Sequence, residues 1–288
     1  MFSFKHILLS GVIAAGLAAQ SAPGKLEFEV ASVKPNKSDG PAHANNPLGP
    51  GNVYSPYGGY FQAINFPLYV YILFAYKTMG NQEQFLRTQI PAWVMSDRFD
   101  IEARAEGNPD KDRMRLMMRS LLADRFKLGI QFETRQVPVF ALALLKPGKT
   151  GPTLQPHPED YPCSIVPGAS QSQADGQFPA LCSGLFPMPP GAPGRQHIGA
   201  RRVTMEFIAN SLSAMGQLER PAIDRTGLSG NFDFALEWVP DPGADAQPDP
   251  TGPTFLEALK DQLGIKLESQ KGPAEVIILD HVEHPSEN

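Results

Sequence analysis

The feature that most constrains the fold of this chain is a passage that occurs twice. A Phe-Asp pair beginning at Phe99 opens an alternating segment, and an apolar-striped helix pattern and two strand patterns follow it. A second Phe-Asp pair, beginning at Phe232, opens a similar series. In the preceding strand patterns, Ala63 lies 36 positions before Phe99 and Ala200 lies 32 positions before Phe232. Elements repeated at matched spacing indicate a duplicated unit.

Each unit has the pattern strand, helix, strand, helix, strand, strand. Residues 99–105 alternate between apolar and polar side chains, which predicts a strand with one buried face. Residues 114–122 have apolar side chains at helical spacing. The last two strands of each unit are predicted to form hairpins, within 126–145 and 265–282. We therefore expect an α+β fold of two tandem units, with helices packed on one face of mixed sheets.

Composition divides the chain into four parts. Residues 1–22 have a short polar start and then an apolar run at 7–19, which is typical of an export signal. That run is shorter than the ~20 residues of a membrane span. We predict an exported protein, periplasmic or secreted, without stable membrane insertion after signal cleavage. The remaining parts are a first unit at 26–148, a proline-rich linker at 149–196 and a second unit at 197–284.

The charge balance excludes one class of partner. The net charge is −5, and acidic and basic residues are interspersed along the chain. Nucleic-acid binding requires a concentrated basic face, so no nucleic acid is expected as a partner. The expected partner is an unknown extracytoplasmic protein, peptide or glycan.

The only two cysteines, Cys163 and Cys182, lie 19 positions apart in the predicted linker. A lone pair in a loop of an exported protein is typical of a disulfide. Closing such a loop stabilises a fold by roughly 3 kcal/mol in the chain-entropy model. No CxxC spacing or histidine cluster accompanies the pair, so no metal is predicted.

Tyrosines provide the candidate ligand-binding residues. Six of the seven lie between residues 54 and 76, and Tyr54, Tyr57 and Tyr60 fall in or beside a Gly/Pro-rich loop. Tyrosine combines a large apolar ring with a polar tip, which suits the recognition of peptides or sugars. The alternative is that these rings cover the edge of the buried helix predicted to begin at Leu68.

No catalytic motif is recognisable. The chain has no GxSxG elbow, no phosphate-binding GK[ST] loop and no GxGxxG after a strand. We therefore predict no catalytic residues, no metal and no cofactor. A site assembled from dispersed acidic residues with His197 or His281 remains an alternative, because catalytic groups need not be neighbours in the chain.

Several phrases of the sequence resemble a known family. They are residues 28–36 (FEVASVKPN), 96–103 (SDRFDIEA), 121–128 (LLADRFKL), 224–234 (DRTGLSGNFDF) and the tail from 267 (LESQKGP) to 285–288 (PSEN). Together they resemble the acidobacterial soil-associated family of exported proteins, which share a domain of unknown function. The resemblance implies no established activity and no catalytic residues. Similar domains fused to membrane sensors of the BlaR type imply an extracytoplasmic sensing role.

These observations predict an exported, non-catalytic binding or sensing module. One alternative is an exported hydrolase with a dispersed site. A second alternative is a structural envelope protein that self-associates through exposed strand edges.

Overall fold

The computed structural model describes residues 26–161, 163, 177–240 and 252–285. The predicted export signal and residues 241–251, a stretch rich in Asp and Pro, lie outside these ranges. The described residues form three sheets and several helices, so the predicted α+β class is confirmed. Within those residues, no helix is both long enough and apolar enough to cross a membrane.

The elements are numbered along the chain. The strands are β1 Val30–Asn36, β2 His43–Ala44, β3 Tyr60–Pro67, β4 Arg98–Arg104, β5 Gly129–Leu144, β6 Leu154–Pro156, β7 Leu185–Pro187, β8 Gln196–Val203, β9 Ala222–Asp224, β10 Phe232–Trp238 and β11 Ile265–His281. The helices are α1 Leu68–Tyr76, α2 Gly80–Arg87, α3 Ala92–Ser96, α4 Lys111–Phe126, α5 Met205–Met215 and α6 Phe255–Ala258, which continues as a π-helical turn over Leu259–Leu263.

Two four-stranded antiparallel sheets have the same plan. The first has the order β1-β4-β3-β2, and the second has the order β6-β10-β8-β7. In each sheet the strand with the Phe-Asp pair lies second, beside the strand that precedes it in the repeated pattern. Part of the predicted linker, residues 149–196, forms the two edge strands of the second sheet. We call the first sheet with α1 to α4 the first half, and the second sheet with α5 and α6 the second half.

The two predicted hairpins are wrong. Strand β5 and strand β11 are each uninterrupted, and they pair with each other from Ile265 opposite Leu144 to His281 opposite Gly129. Residues 134–136, the predicted turn of the first hairpin, are exposed and lie within a continuous strand. The resulting ribbon joins the halves, because Ile277 packs in the first core and Ile265 in the second.

The helix ends follow their sequence signals. Asp110 caps α4 by accepting a hydrogen bond from the Arg113 backbone N–H at 2.8 Å. Thr204 caps α5, and Thr254 forms a capping box with Glu257 before α6. Gly264 ends the π-helical turn with φ 71°.

Helices α2 and α5 hold the halves together. Asn81 of α2 is buried, and its side-chain amide donates to Asn210 Oδ1 at 2.6 Å and to the Ala222 carbonyl at 2.8 Å. Its Oδ1 accepts from the Ala222 N–H at 2.9 Å. A Cβ at Gly80 would lie 2.6 Å from the Asn210 carbonyl, so the close crossing requires glycine.

Candidate functional site

The three predicted ligand-binding tyrosines do not share one environment. Tyr54 is 8% exposed and packs in the first core, and burial, followed by the charge of Asp110, raises the pKa of its phenol. Tyr57 is 51% exposed at a turn. Tyr60 is half-buried on β3, where its hydroxyl lies 3.5 Å from Glu102 Oε2. Their role in ligand binding stays a prediction.

Two buried cations of α4 order the loop that contains Tyr54. Lys111 Nζ donates to the carbonyls of Gly49 at 3.2 Å and Gly51 at 2.7 Å. The Arg115 guanidinium donates to the carbonyls of the same three-residue stretch and is 2% exposed. Burial, together with the positive charge of Arg115, lowers the pKa of Lys111 to about 7. The helical periodicity of the sequence does not indicate that these two residues are buried, because basic side chains beside an apolar stripe are usually solvated.

The two Phe-Asp pairs each fix a β-bulge. In the first sheet, Ile64 and Asn65 lie opposite the single residue Asp100. Asn65 has φ 62°, and its N–H donates to Asp100 Oδ1 at 2.8 Å. The Asn36 side chain donates to the same oxygen at 2.7 Å. The carboxylate therefore satisfies the backbone group that the bulge removes from the ladder.

The second sheet repeats this geometry with different chemistry. Arg201 and Arg202 lie opposite Asp233. Arg202 has φ 53° and donates its N–H to Asp233 Oδ1 at 3.0 Å. The side-chain partner is now His157, which directly follows the edge strand β6, and its Nδ1 lies 2.7 Å from the same oxygen. Arg201 NH1 adds an ion pair to Asp233 Oδ2 at 3.2 Å.

This second bulge contacts the cysteine pair. The Sγ atoms of Cys163 and Cys182 lie 1.96 Å apart, at disulfide distance, as predicted. Cys163 Sγ lies 3.6 Å from His157 Nε2. Sequence analysis missed His157, because it lies in an irregular proline-rich segment. The sequence contains one indication of its role: the second Phe-Asp pair repeats the first, so its aspartate should also accept from a side chain at the edge of the sheet.

A cleft lies where the two halves meet. It has a volume of about 360 Å³, and both halves line it together with β11. Asn81 and Ala222 form its buried floor. The exposed carboxylates of Glu206 on α5 and Glu275 on β11 line it.

The cleft is polar, and its acidic groups outnumber its basic ones. Asp224 uses Oδ1 to accept from the N–H and hydroxyl of Thr226, at 2.9 and 2.7 Å. Arg225 is the one cation among the lining residues, which also include Glu206 and Glu275. The cleft thus offers carboxylate acceptors to a ligand. The sequence does not reveal the cleft, because its walls come from α2, α5, β9 and β11, which only the folded chain brings together.

The histidines considered for a dispersed catalytic site lie in separate places. His197 lies on β8 of the second sheet, and its Nδ1 is 2.7 Å from the Pro189 carbonyl oxygen. His281 ends the ribbon opposite Gly129, and its Nε2 is 2.7 Å from Glu283 Oε1. Among the described residues, no group of three or more His, Cys, Asp or Glu side chains could hold a metal ion.

Comparisons with known proteins identify a family of unknown function. A family model described as a protein of unknown function (DUF3738) matches residues 70–282, most of the chain. Searches of curated proteins and of solved structures returned no match. The matched range includes the cleft and the Asp233 bulge, whereas Tyr54, Tyr57 and Tyr60 precede it.

Proposed function

This chain belongs to the DUF3738 family of proteins of unknown function, and from that premise we propose that it is an exported, non-catalytic binding or sensing module. The cysteine pair at disulfide distance fits an oxidising extracytoplasmic location. The export signal at 1–22 and a sensing role, like that of the domains fused to BlaR-type sensors, are parts of this proposal.

The cleft between the halves is the observation that carries the proposal. Ligand sites lie preferentially where domains or halves meet, in clefts of ~300–1,000 Å³. At about 360 Å³, this cleft has room for a ligand the size of a short peptide. Asn81 fixes its floor from one half to the other, so its walls are pre-organised rather than assembled on binding.

The cleft's charge favours a cationic ligand. Glu206 and Glu275 are both exposed at the cleft. An ammonium or guanidinium group bound at either carboxylate would make charge-assisted hydrogen bonds without burying an unpaired charge. We therefore propose a short, positively charged peptide as the ligand class.

Calorimetric titration with trilysine tests this proposal. We expect saturable binding by trilysine and none by triglutamate. Glu206→Gln and Glu275→Gln should each weaken trilysine binding about 2- to 5-fold, the effect of one partly exposed ion pair. Glu268→Gln is the matched control, because it removes a charge from the same strand outside the cleft. Equal affinities in all four proteins would refute the cleft as the site.

Strand-edge self-association is a second candidate, favoured by the outer edge of β5. In the described part of the chain, β5 pairs with β9 only over Phe140 to Leu142, so its preceding residues have no strand on that side. Phe132 on this stretch is 38% exposed. Exposed edges of this kind pair with further strands.

Sedimentation velocity separates the two candidates. If the edge associates, the protein should form concentration-dependent dimers, and Phe132→Lys should abolish them while Lys266→Gln, also on the ribbon, should not. A monomer at all concentrations would eliminate this candidate and leave the cleft proposal intact.

A further inference from the structure

The Nε2 atom of His157 lies beside the Cys163 sulfur, and the packing of the bulge does not explain this contact. Its side chain is 6% exposed, and Nδ1 donates to Asp233, an acceptor-only carboxylate. In the neutral ring, Nε2 then carries a lone pair. Among the described residues, Cys163 Sγ is its neighbour at hydrogen-bonding distance, at 3.6 Å. A disulfide sulfur has no proton to donate, so no described residue donates to this lone pair while the bond is intact.

The first sheet shows that the bulge does not require a histidine. There, Asn36 donates to Asp100 and fills the same structural role with an amide. The imidazole in the second sheet adds a group that can hold a proton beside a sulfur atom. A neighbouring histidine that accepts the thiol proton is the usual means of stabilising a cysteine thiolate.

The two sulfur atoms differ in access. Cys163 is partly exposed, whereas Cys182 is fully buried. An external thiolate can therefore approach Cys163 but not Cys182. Cys163 is therefore the sulfur that is attacked, and Cys182 is the sulfur that leaves.

We propose that the Cys163–Cys182 bond is a thiol–disulfide exchange site for an extracytoplasmic dithiol, with His157 holding the proton beside Cys163. A thiolate of the dithiol attacks Cys163 Sγ and forms a mixed disulfide. The Cys163–Cys182 bond breaks, and Cys182 leaves and takes up a proton. The second thiol of the partner, as a thiolate, then displaces Cys163, and the partner becomes a disulfide.

The charges around His157 support the reduced product. Of the two protons that the dithiol loses, one resides on Cys182 and the other on His157 Nε2, so Cys163 remains a thiolate beside an imidazolium. Asp233 accepts from that imidazolium, and Arg201 holds the other oxygen of Asp233. Tyr161 packs edge-on against the His157 ring, with its centroid 5.7 Å away. One disulfide of this chain is reduced for each dithiol that is oxidised. This exchange does not depend on ligand binding in the cleft.

Site-resolved alkylation of the full exported chain tests the proposal. After reduction with dithiothreitol, iodoacetamide labelling of each cysteine is followed by mass spectrometry from pH 5 to 10. We expect Cys163 to titrate at least one unit below the ordinary thiol value of ~8.5, and to react more than 10-fold faster than Cys182 at pH 6. His157→Gln should return the inflection to about 8.5 and slow labelling at pH 6 at least 10-fold.

A second pair of variants removes the dependence on reduction. Cys182→Ser leaves Cys163 as a free thiol, and Cys182→Ser with His157→Gln is its matched partner; circular dichroism verifies that both are folded. A Cys163 inflection near 8.5 in folded Cys182→Ser, unchanged by His157→Gln, would overturn the proposal. So would unfolding on reduction, with both thiols reacting as they do in urea, because the bond would then be a structural crosslink.

Discussion

Asp100 and Asp233 stand at the same position in the two Phe-Asp passages and do the same structural work. Each accepts the N–H of a residue with positive φ at a bulge, and each accepts from a side chain at the edge of the sheet. The two bulges therefore share one hydrogen-bonding plan, and the duplication of the unit stays a prediction. The copies differ in what else the carboxylate holds, because only Asp233 also pairs with a buried arginine.

The two aspartates should therefore differ in their contribution to stability. Asp100→Asn keeps one acceptor oxygen and should lower the free energy of unfolding by about 1 kcal/mol. Asp233→Asn removes the carboxylate charge that pairs with the 2%-exposed Arg201 and should cost ~3–5 kcal/mol. Urea unfolding of both variants measures the difference. Equal losses would contradict the assigned role of the Arg201 ion pair.

Lys111 predicts a pH dependence of stability. Its pKa is about 7 in the folded chain, lowered from the ordinary lysine value of 10.5. Between these values the unfolded state binds more protons, so the lysine's contribution to stability rises with pH, by at most ~1.4 kcal/mol per unit. Lys111→Met removes the titrating group. Urea unfolding from pH 7 to 9.5 should therefore give a steeper rise for the wild type than for the variant, and parallel curves would contradict the assignment.

At the scale of elements, α4 and the π-helical turn after α6 end in the same way before they lead into the ribbon. Lys127 has φ 50° and Gly264 has φ 71°. A Cβ at Gly264 would lie 2.6 Å from the Gly151 backbone nitrogen. Gly264→Ala should thus cost ~2–4 kcal/mol, from left-handed strain and the clash. Lys127→Gly should change stability by less than ~1 kcal/mol; thermal unfolding of the pair tests the contrast.

Sequence reasoning identified those elements whose signals are local. Alternation predicts the strand that begins at Phe99, and the N-cap residues Thr204 and Thr254 stand directly before α5 and α6. The sequence does not indicate α2, because a polar helix whose buried residues are Asn81 and Leu86 alone has no apolar stripe. Sequence reasoning also mispaired β5 and β11, since the choice between a hairpin and a distant partner depends on contacts between segments more than 100 residues apart. The cleft and the His157 cluster depend on the same distant pairings.

At the scale of the whole molecule, the halves share their boundary elements. The ribbon passes through both cores, and α2 of the first half packs on α5 of the second. A fold connected in this way should unfold as one cooperative unit rather than as two domains. Independent unfolding would require the ribbon to separate along its length.

Asn81→Ala tests this coupling. It leaves the Ala222 N–H and the Asn210 side chain without the partners that Asn81 supplies, and should cost ~2–4 kcal/mol. Asn45→Ala is the matched control, because Asn45 makes similar amide hydrogen bonds at the edge of the first sheet alone. In scanning calorimetry, the wild type and the control should each show one transition. Asn81→Ala should lower the temperature of that transition or split it in two, because the contact between α2 and α5 joins the halves. Two separate transitions in the wild type would instead show that the halves are independent domains.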